Sequence, residues 1–288
     1  MDRSFFSPRT LGDAIGVSQS SLKRWADRGL LEVERTAGGH RRIDRREALR
    51  FIREAGLQVV KPELLGLADD GLVDLDDGGT TSVRDRFCRA LQTGDESEAR
   101  AVVLSLFTGG CGLANIFDQV FQPALAVIGE LWLDDPHGIA VEHRATDICT
   151  QILGDLRGRL EAPEGAPAAI GASPGGDPYL LPSNMIAVAL SSEGYRAVNL
   201  GPNFPLTGLA AAAVKESAQF VWLSVTHGGR IDELREEILQ LREQLSAAGI
   251  PLLIGGAAYH KLGLPQHPSL ATGESIGDVI SFARQLAG

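Results

Sequence analysis

The chain reads as a multidomain α/β protein: an N-terminal winged helix-turn-helix, a four-helix bundle, and a C-terminal doubly wound parallel sheet of five strands, flavodoxin-like in organisation. Three observations predict this. Two short helical stretches flank Gly16-Val17-Ser18 and lead into a Gly-Gly turn between strand-like runs. Helical periodicity then runs from Thr81 to about Leu160, broken at short polar or glycine-bearing joints. From Pro167 onward, short apolar runs alternate with helical ones, the pattern of a parallel sheet wound on both faces.

Charge divides the chain in the same way. Residues 1–57 hold 12 Lys/Arg against 8 Asp/Glu, net +4, leaving 15 against 29, net −14, in the remainder. A small basic module joined to a large acidic one implies that the first meets phosphate and the second does not. The predicted boundaries are 1–57 for the basic head, 58–80 for a linker, 81–164 for the helical part and 165–288 for the sheet. The stretch Ala68-Asp69-Asp70-Gly71-Leu72-Val73-Asp74-Leu75-Asp76-Asp77-Gly78-Gly79 is acidic and aperiodic, as a self-repelling linker should be. No apolar run reaches the ~18 residues a membrane span needs, and the first residues lack the apolar core of a signal peptide. Cys88, Cys111 and Cys149 are odd in number and far apart, which fits buried thiols in a reducing cytoplasm. A cytoplasmic protein that makes no membrane contact is expected.

In the head, Thr10–Gly16 gives a short amphipathic helix, and Ser18 is placed to cap the next, Gln19 to Asp27, which Gly29 ends. Leu22 and Trp25 share a face, while Ser20, Lys23 and Arg24 point away from it. Leu31 to Ile43 reads as two strands around Gly38-Gly39, and Asp44 caps a third helix with Glu47 at capping-box spacing. The run Gly38-Gly39-His40-Arg41-Arg42 after such a helix resembles the wing of the MerR family, over about residues 5–57. The resemblance implies contact with double-stranded operator DNA through Ser20, Lys23, Arg24, His40, Arg41 and Arg42, with Trp25 in the core. The Tyr that usually follows the two arginines is Ile43 here. Paired heads on a two-fold operator imply a homo-oligomer, dimer or tetramer.

The helical part is predicted as Ser82–Gln92, Glu96–Thr108, Leu113–Leu133 and Gly138–Leu160. Glu142 and His143 are adjacent on the last of these and cannot both face one core. Trp132, ten residues before that pair and just upstream of an α/β domain, resembles the helical cap of the CarH/CarA-type cobalamin regulators. In those relatives the Trp and the Glu-His pair lie against the adenosyl group over the corrin, which implies that Trp132, Glu142 and His143 line a ligand face and that adenosylcobalamin is the cofactor. Light-sensing members carry a cobalt-ligating His directly after the Trp; that position is Leu133 here.

Ligands of doubly wound sheets bind outside the C-terminal ends of the strands. There the chain offers Asp177-Pro178-Tyr179-Leu180-Leu181-Pro182 after the first strand, Ser224-Val225-Thr226 at the third, and Gly255-Gly256 at the fourth. These resemble the cobalamin-binding signature of Asp-x-His-x-x-Gly, Ser-x-Thr and Gly-Gly, which implies cofactor contacts from Asp177, Tyr179, Ser224, Thr226, Gly255 and Gly256. Tyr179 stands where the family has its cobalt-ligating His, and Pro182 where it has Gly. A phenol is a poor cobalt ligand at neutral pH because it holds its proton. Three readings stay open for this loop: cobalamin without the usual protein ligand, another planar or nucleotide-like ligand, and an empty sensor. His227 and His260, in loops on the same side, are alternative axial ligands, with His227 counted among the cofactor contacts; Tyr179→His is expected to restore an imidazole.

Taken together, the residues read as a non-enzymatic transcriptional regulator with a cobalamin-type sensor. Its rivals are a regulator answering another small molecule or a protein antagonist, and a corrinoid carrier subunit of a methyltransferase or mutase. The basic head disfavours the carrier, as does the absence of the family's His. No nucleophile–base pair, phosphate loop or metal-ligand spacing supports other chemistry.

Overall fold

The structure is a computed structural model and describes residues 5–35, 41–55, 57, 61–65, 79–133, 136–160, 162–227 and 229–287. Gly38, Gly39, His40, Gly56 and most of the predicted linker lie outside the described residues. The chain divides into two compact units, one of residues 1–112 with 119–145, the other of residues 113–118 with 146–288.

The first unit opens with strand β1 (Phe5–Phe6), helix α1 (Pro8–Ala14) and helix α2 (Gln19–Asp27). Ser7 caps α1 by accepting the Thr10 N–H, and Ser18 caps α2 by accepting that of Ser21. Gly29 turns the chain out of α2 with φ +74, a left-handed value that costs glycine nothing. Strands β2 (Glu34–Arg35) and β3 (Arg41–Asp44) then lead into helix α3 (Arg45–Glu54). The sheet order is β1-β3-β2, all antiparallel, with Phe6 opposite Ile43 and Glu34 opposite Arg42. Strand β1 is not predicted by the sequence pattern. Leu11, Leu22, Leu31, Ile43, Phe51 and Ile52 form the core of this region, and Trp25 stacks obliquely on Phe51 at 5.1 Å. Glu47 accepts the Glu32 N–H at 2.7 Å and ion-pairs with Arg50, so it ties α3 to the segment after α2.

Helix α4 (Gly79–Thr93) packs on α5 (Glu96–Thr108), and both Asp95 and Gly94 lie in the joint between them. Asp95 caps α5. The expected single helix from Leu113 to Leu133 is instead three pieces: α6 (Leu113–Ile116), a π-helical turn (Phe117–Phe121) and α7 (Gln122–Glu130), followed by a 3-10 turn (Leu131–Leu133). Pro123 at the second position of α7 explains the break, because its ring excludes a continuous hydrogen-bond ladder with the preceding turn. Within the first unit, α7 packs on α4, with Phe87 and Phe121 at 4.8 Å. Helix α8 (His137–Arg157) begins one residue before its expected start.

In the second unit, β4 (Ala168–Ala172), α9 (Leu181–Ser192), β5 (Arg196–Asn199), α10 (Leu209–Lys215), β6 (Ala218–Ser224), α11 (Ile231–Ala247), β7 (Leu252–Gly255), β8 (Leu270–Gly273) and α12 (Ile276–Ala287) alternate as predicted. The strands are parallel in the order β5-β4-β6-β7-β8. Along β6, Val221 and Leu223, with Val225 just past its end, join the core against α10 and α11, while Phe220 meets Phe282 of α12 and Trp222 reaches Ser183 of α9. Period-two alternation buried on both faces is what a central parallel strand requires. Helix α9 starts at Leu181, three residues before Asn184, where the sequence pattern predicts its start, because Pro182 suits the first turn of a helix.

Candidate functional site

Two surfaces hold most of the residues singled out by sequence, and the helical part holds the others. The first is on the head. The start of α2 and the edge of β3 enclose an open groove of about 760 Å³, lined among others by Ser7, Arg9, Gln19, Ser20, Lys23 and Arg41. Leu22 is buried, and Ser20, Lys23 and Arg24 are exposed on the opposite side of α2. The helix thus turns an apolar stripe inward and a polar, cationic face outward. The arginines are partnered: Arg41 lies 3.4 Å from Asp27, and Arg42 donates through Nε and Nη2 to Glu34 at 3.0 and 2.7 Å. The Arg42 guanidinium also sits 3.9 Å above the Phe5 ring, a cation–π contact that braces β1 against β3. His40 lies outside the described residues.

The second surface is the C-terminal edge of the parallel sheet. Asp177 is fully buried, and its carboxylate accepts three backbone N–H groups: Tyr179 at 3.1 Å, Thr226 at 2.5 Å and His227 at 3.0 Å. It therefore laces the loop after β4 to the loop after β6. The Asp177 carbonyl accepts the Asn203 N–H, and the Asn203 side chain accepts that of Gly176, which brings in the loop after β5. Ser173 is buried and donates to the Tyr179 carbonyl. The result is one platform made from three loops joined by hydrogen bonds.

On that platform the Tyr179 side chain is exposed at 45% and His227 is exposed as well. Ser224 is buried. The Thr226 hydroxyl is buried with no hydrogen-bond partner among the described residues. A buried hydroxyl without a partner costs about 1–3 kcal/mol, which a ligand or water oxygen would relieve. Gly255 and Gly256 have a packing reason to be glycine: a Cβ on Gly255 would stand 2.4 Å from the Gly273 carbonyl oxygen, and one on Gly256, at φ +102, 2.5 Å from that of Val225. His260 is exposed on the turn after β7, edge-on to Tyr259.

On α8 of the helical part, Glu142 is half-buried and His143 exposed, as adjacent helical positions require. Trp132 lies in the 3-10 turn after α7, and Leu133 beside it is 65% exposed. Burial pushes the Cys111 thiol up to about 11 and that of Cys149 up to about 12, so both stay protonated at neutral pH. Among the described residues no group of three or more His, Cys, Asp or Glu is placed to hold a metal ion, and no helix is long and apolar enough to cross a membrane.

Sequence reasoning missed a buried polar chain beneath the platform. The Trp222 indole N–H donates to the Ser183 hydroxyl at 3.0 Å, and Ser183 donates to the Asn199 side chain at 2.8 Å. Gly171, an isolated glycine inside a strand pattern, was the one available signal, since such a residue marks close approach by a neighbour.

Comparison with known proteins adds family evidence to this geometry. Residues 6–54 match the model of the MerR HTH family regulatory protein, and residues 83–157 match the B12 binding domain. The HTH-type transcriptional repressor CarH of Myxococcus xanthus is 25% identical over 269 residues, covering 85% of this chain and 87% of CarH. Methionine synthase of Mycobacterium leprae (strain TN) is 31% identical over 83 residues, which span 29% of this chain and 7% of that enzyme. The monomethylamine corrinoid protein of Methanosarcina barkeri shares the fold over 72% of this chain and 99% of its own, with a TM-score of 0.53 at 15% identity. This polypeptide therefore carries a MerR-type helix-turn-helix segment and a B12 binding domain segment, and along most of its length it is similar to a CarH transcriptional repressor.

Proposed function

We propose that the protein is a transcriptional regulator that binds duplex DNA through residues 1–57 and senses cobalamin through the rest. The observation that carries the DNA assignment is the groove at the start of α2, where Ser20, Lys23 and Arg41 share one wall system beside exposed Arg24. A helix presenting basic side chains beside a strand pair is built to enter a major groove while neighbouring arginines meet phosphate. In this reading β2 and β3 are the stem of a wing that Arg41 and Arg42 flank, and His40 is assigned to DNA contact with them. The two-fold logic of such operators assigns a homo-oligomer, the parts follow the boundaries 1–57, 58–80, 81–164 and 165–288, and the protein works in the cytoplasm without catalysing a reaction.

For the ligand, the platform residues fit a corrinoid lying on the sheet's edge. The unpartnered Thr226 hydroxyl supports this, as do exposed Tyr179 and His227 beside it. Asp177, Ser224, Gly255 and Gly256 shape that platform. The same reading assigns Trp132, Glu142 and His143 of the helical part to ligand contact. A bound cobalamin would supply a cobalt able to take up and release donor ligands. The platform's own residues supply the seat and the donors.

The test has two arms on the full chain. In gel-shift titrations over a salt series on random-sequence duplex, Lys23→Ala and Arg24→Ala should each weaken binding and flatten the log–log slope by about 0.9 per lost phosphate contact. Unchanged affinity in both variants would overturn the DNA assignment. After incubation with adenosylcobalamin and gel filtration, the protein peak should carry the cobalamin absorption spectrum; a colourless peak would overturn the ligand assignment.

A further inference from the structure

On the side of the sheet that faces α9, one cross-strand row places Asn199, Gly171, Trp222 and Leu253 in register on four neighbouring strands. Gly171 contributes no side chain, and the Trp222 indole lies across the gap: a Cβ on Gly171 would stand 2.1 Å from the indole carbon Cδ2. Trp222 is 1% exposed. Its N–H is held by Ser183, which is held in turn by Asn199, whose Oδ1 also accepts the Gly201 N–H. The seam between α9 and the strand ends is thus filled by an aromatic ring that is hydrogen-bonded in place. Protein interiors of this density hold few voids larger than a water molecule.

This has a chemical consequence for a corrinoid on the platform. Cobalamin carries its own benzimidazole, which either ligates the cobalt or is displaced by a protein donor. Displacement requires two things of the protein: a strong donor under the ring, and room for the released base. At the donor position this chain has Tyr179, with its side chain exposed. The room is also absent from the α9 seam. Indole and benzimidazole are both fused five- and six-membered rings, so Trp222 fills with chain atoms a space of the size that a displaced base would take. Asp177 already has its carboxylate committed to three backbone N–H groups.

We infer that Trp222 plugs the sheet, so that a corrinoid bound there stays wholly on the outer surface of the loops and keeps its own base on the cobalt. The inference rests on the cobalamin reading above. It also revises the expectation for Tyr179→His: an imidazole at that position does not displace the base while Trp222 occupies the seam.

The test uses the full chain, uniformly labelled with nitrogen-15, loaded with natural-abundance cob(II)alamin and examined by electron paramagnetic resonance. A base-on cobalt shows triplet splitting from the nitrogen-14 of its own benzimidazole, whereas a protein imidazole shows doublet splitting from nitrogen-15. Triplets are expected in the natural protein and in Tyr179→His. The double variant Tyr179→His with Trp222→Gly should change to doublets. Doublets in the natural protein, from His227 or His260, would overturn the inference, and so would a spectrum with no nitrogen splitting. Doublets in Tyr179→His alone would show that Trp222 is no plug. Should the double variant fail to fold by circular dichroism, the natural protein and Tyr179→His still decide the matter. If no cobalamin stays with the natural protein through gel filtration, the cobalamin reading itself fails, an outcome distinct from all of these.

Discussion

Replacing Asp177 by Ala removes the acceptor for three backbone N–H groups at once, those of Tyr179, Thr226 and His227. Hydrogen bonds to a charged acceptor contribute about 1.5–3 kcal/mol each, and an abandoned buried donor costs a similar amount. The three do not add fully, because the loops can open and let water reach Tyr179 and His227, whose side chains are already exposed. The expected loss is about 3–5 kcal/mol. Asp177→Asn keeps one acceptor oxygen but turns an amide N–H₂ toward the remaining donors, for an expected loss of about 2–3 kcal/mol. A suitable assay is urea denaturation of a Trp25→Phe, Trp132→Phe background, in which fluorescence reports on Trp222 and so on the sheet. With an m-value of about 2 kcal/mol/M, the midpoint should fall by about 2 M for Ala and about 1 M for Asn. A shift below about 0.3 M for Asp177→Ala would refute the platform argument and return Asp177 to a direct ligand role.

Three further outcomes follow from the geometry. Gly171→Ala places a methyl group 2.1 Å from a fixed indole, so the sheet should lose at least about 2–3 kcal/mol, seen as a lowered melting temperature by circular dichroism. Asp27→Asn releases Arg41 from an exposed pair and should tighten binding to random duplex by about two- to five-fold at low salt, since such pairs are worth at most about 1 kcal/mol; weaker binding would mean that Asp27 instead orients Arg41 for phosphate. Asp278 caps α12, accepting the Glu274 and Ser275 N–H groups, and these bonds hold its carboxyl below its ordinary value of 3.8. A depressed folded-state value contributes stability that is present above the unfolded value and lost as pH falls through the folded one. Asp278→Asn should therefore cost about 0.5–1 kcal/mol near neutral pH, and the difference from the natural protein should close below pH 3.8 in urea melts across pH.

What the sequence makes legible here is local. The cap at Ser18, the left-handed exit at Gly29 and the alternation of β4 to β8 each depend on residues a few positions apart, and each appears in the structure. The break in the third helix was missed because apolar periodicity persists through Phe117–Phe121 while the hydrogen bonding shifts. Strand β1 was missed because its two residues are too short a pattern to read; they pair only because β3 offers an edge. The landmarks around the platform could be placed by motif, but not their roles. Asp177 meets N–H groups 49 and 50 residues away, and backbone donors leave no mark in a residue code. The Trp222–Ser183–Asn199 chain is invisible for the same reason, since three ordinary residues from a strand, a helix and another strand acquire meaning only when the sheet closes.

Asp118, in the π-helical turn, accepts the Ile276 and Gly277 N–H groups at 2.9 Å each and so caps α12 from 158 residues upstream. Burial pushes its carboxyl above the ordinary range even as those bonds pull it down. The sheet's last helix is thus finished by a residue that precedes its first strand. A fragment cut at residue 165 would leave the N-terminus of α12 bare of that acceptor, and α6, which packs on α9 and α12, would be gone as well. The C-terminal fold is therefore not a cassette that gene fusion could pass intact from one protein to another at its sequence boundary. Recombination that preserves it must carry the stretch from Leu113 along, and with it the helical segment that lies between.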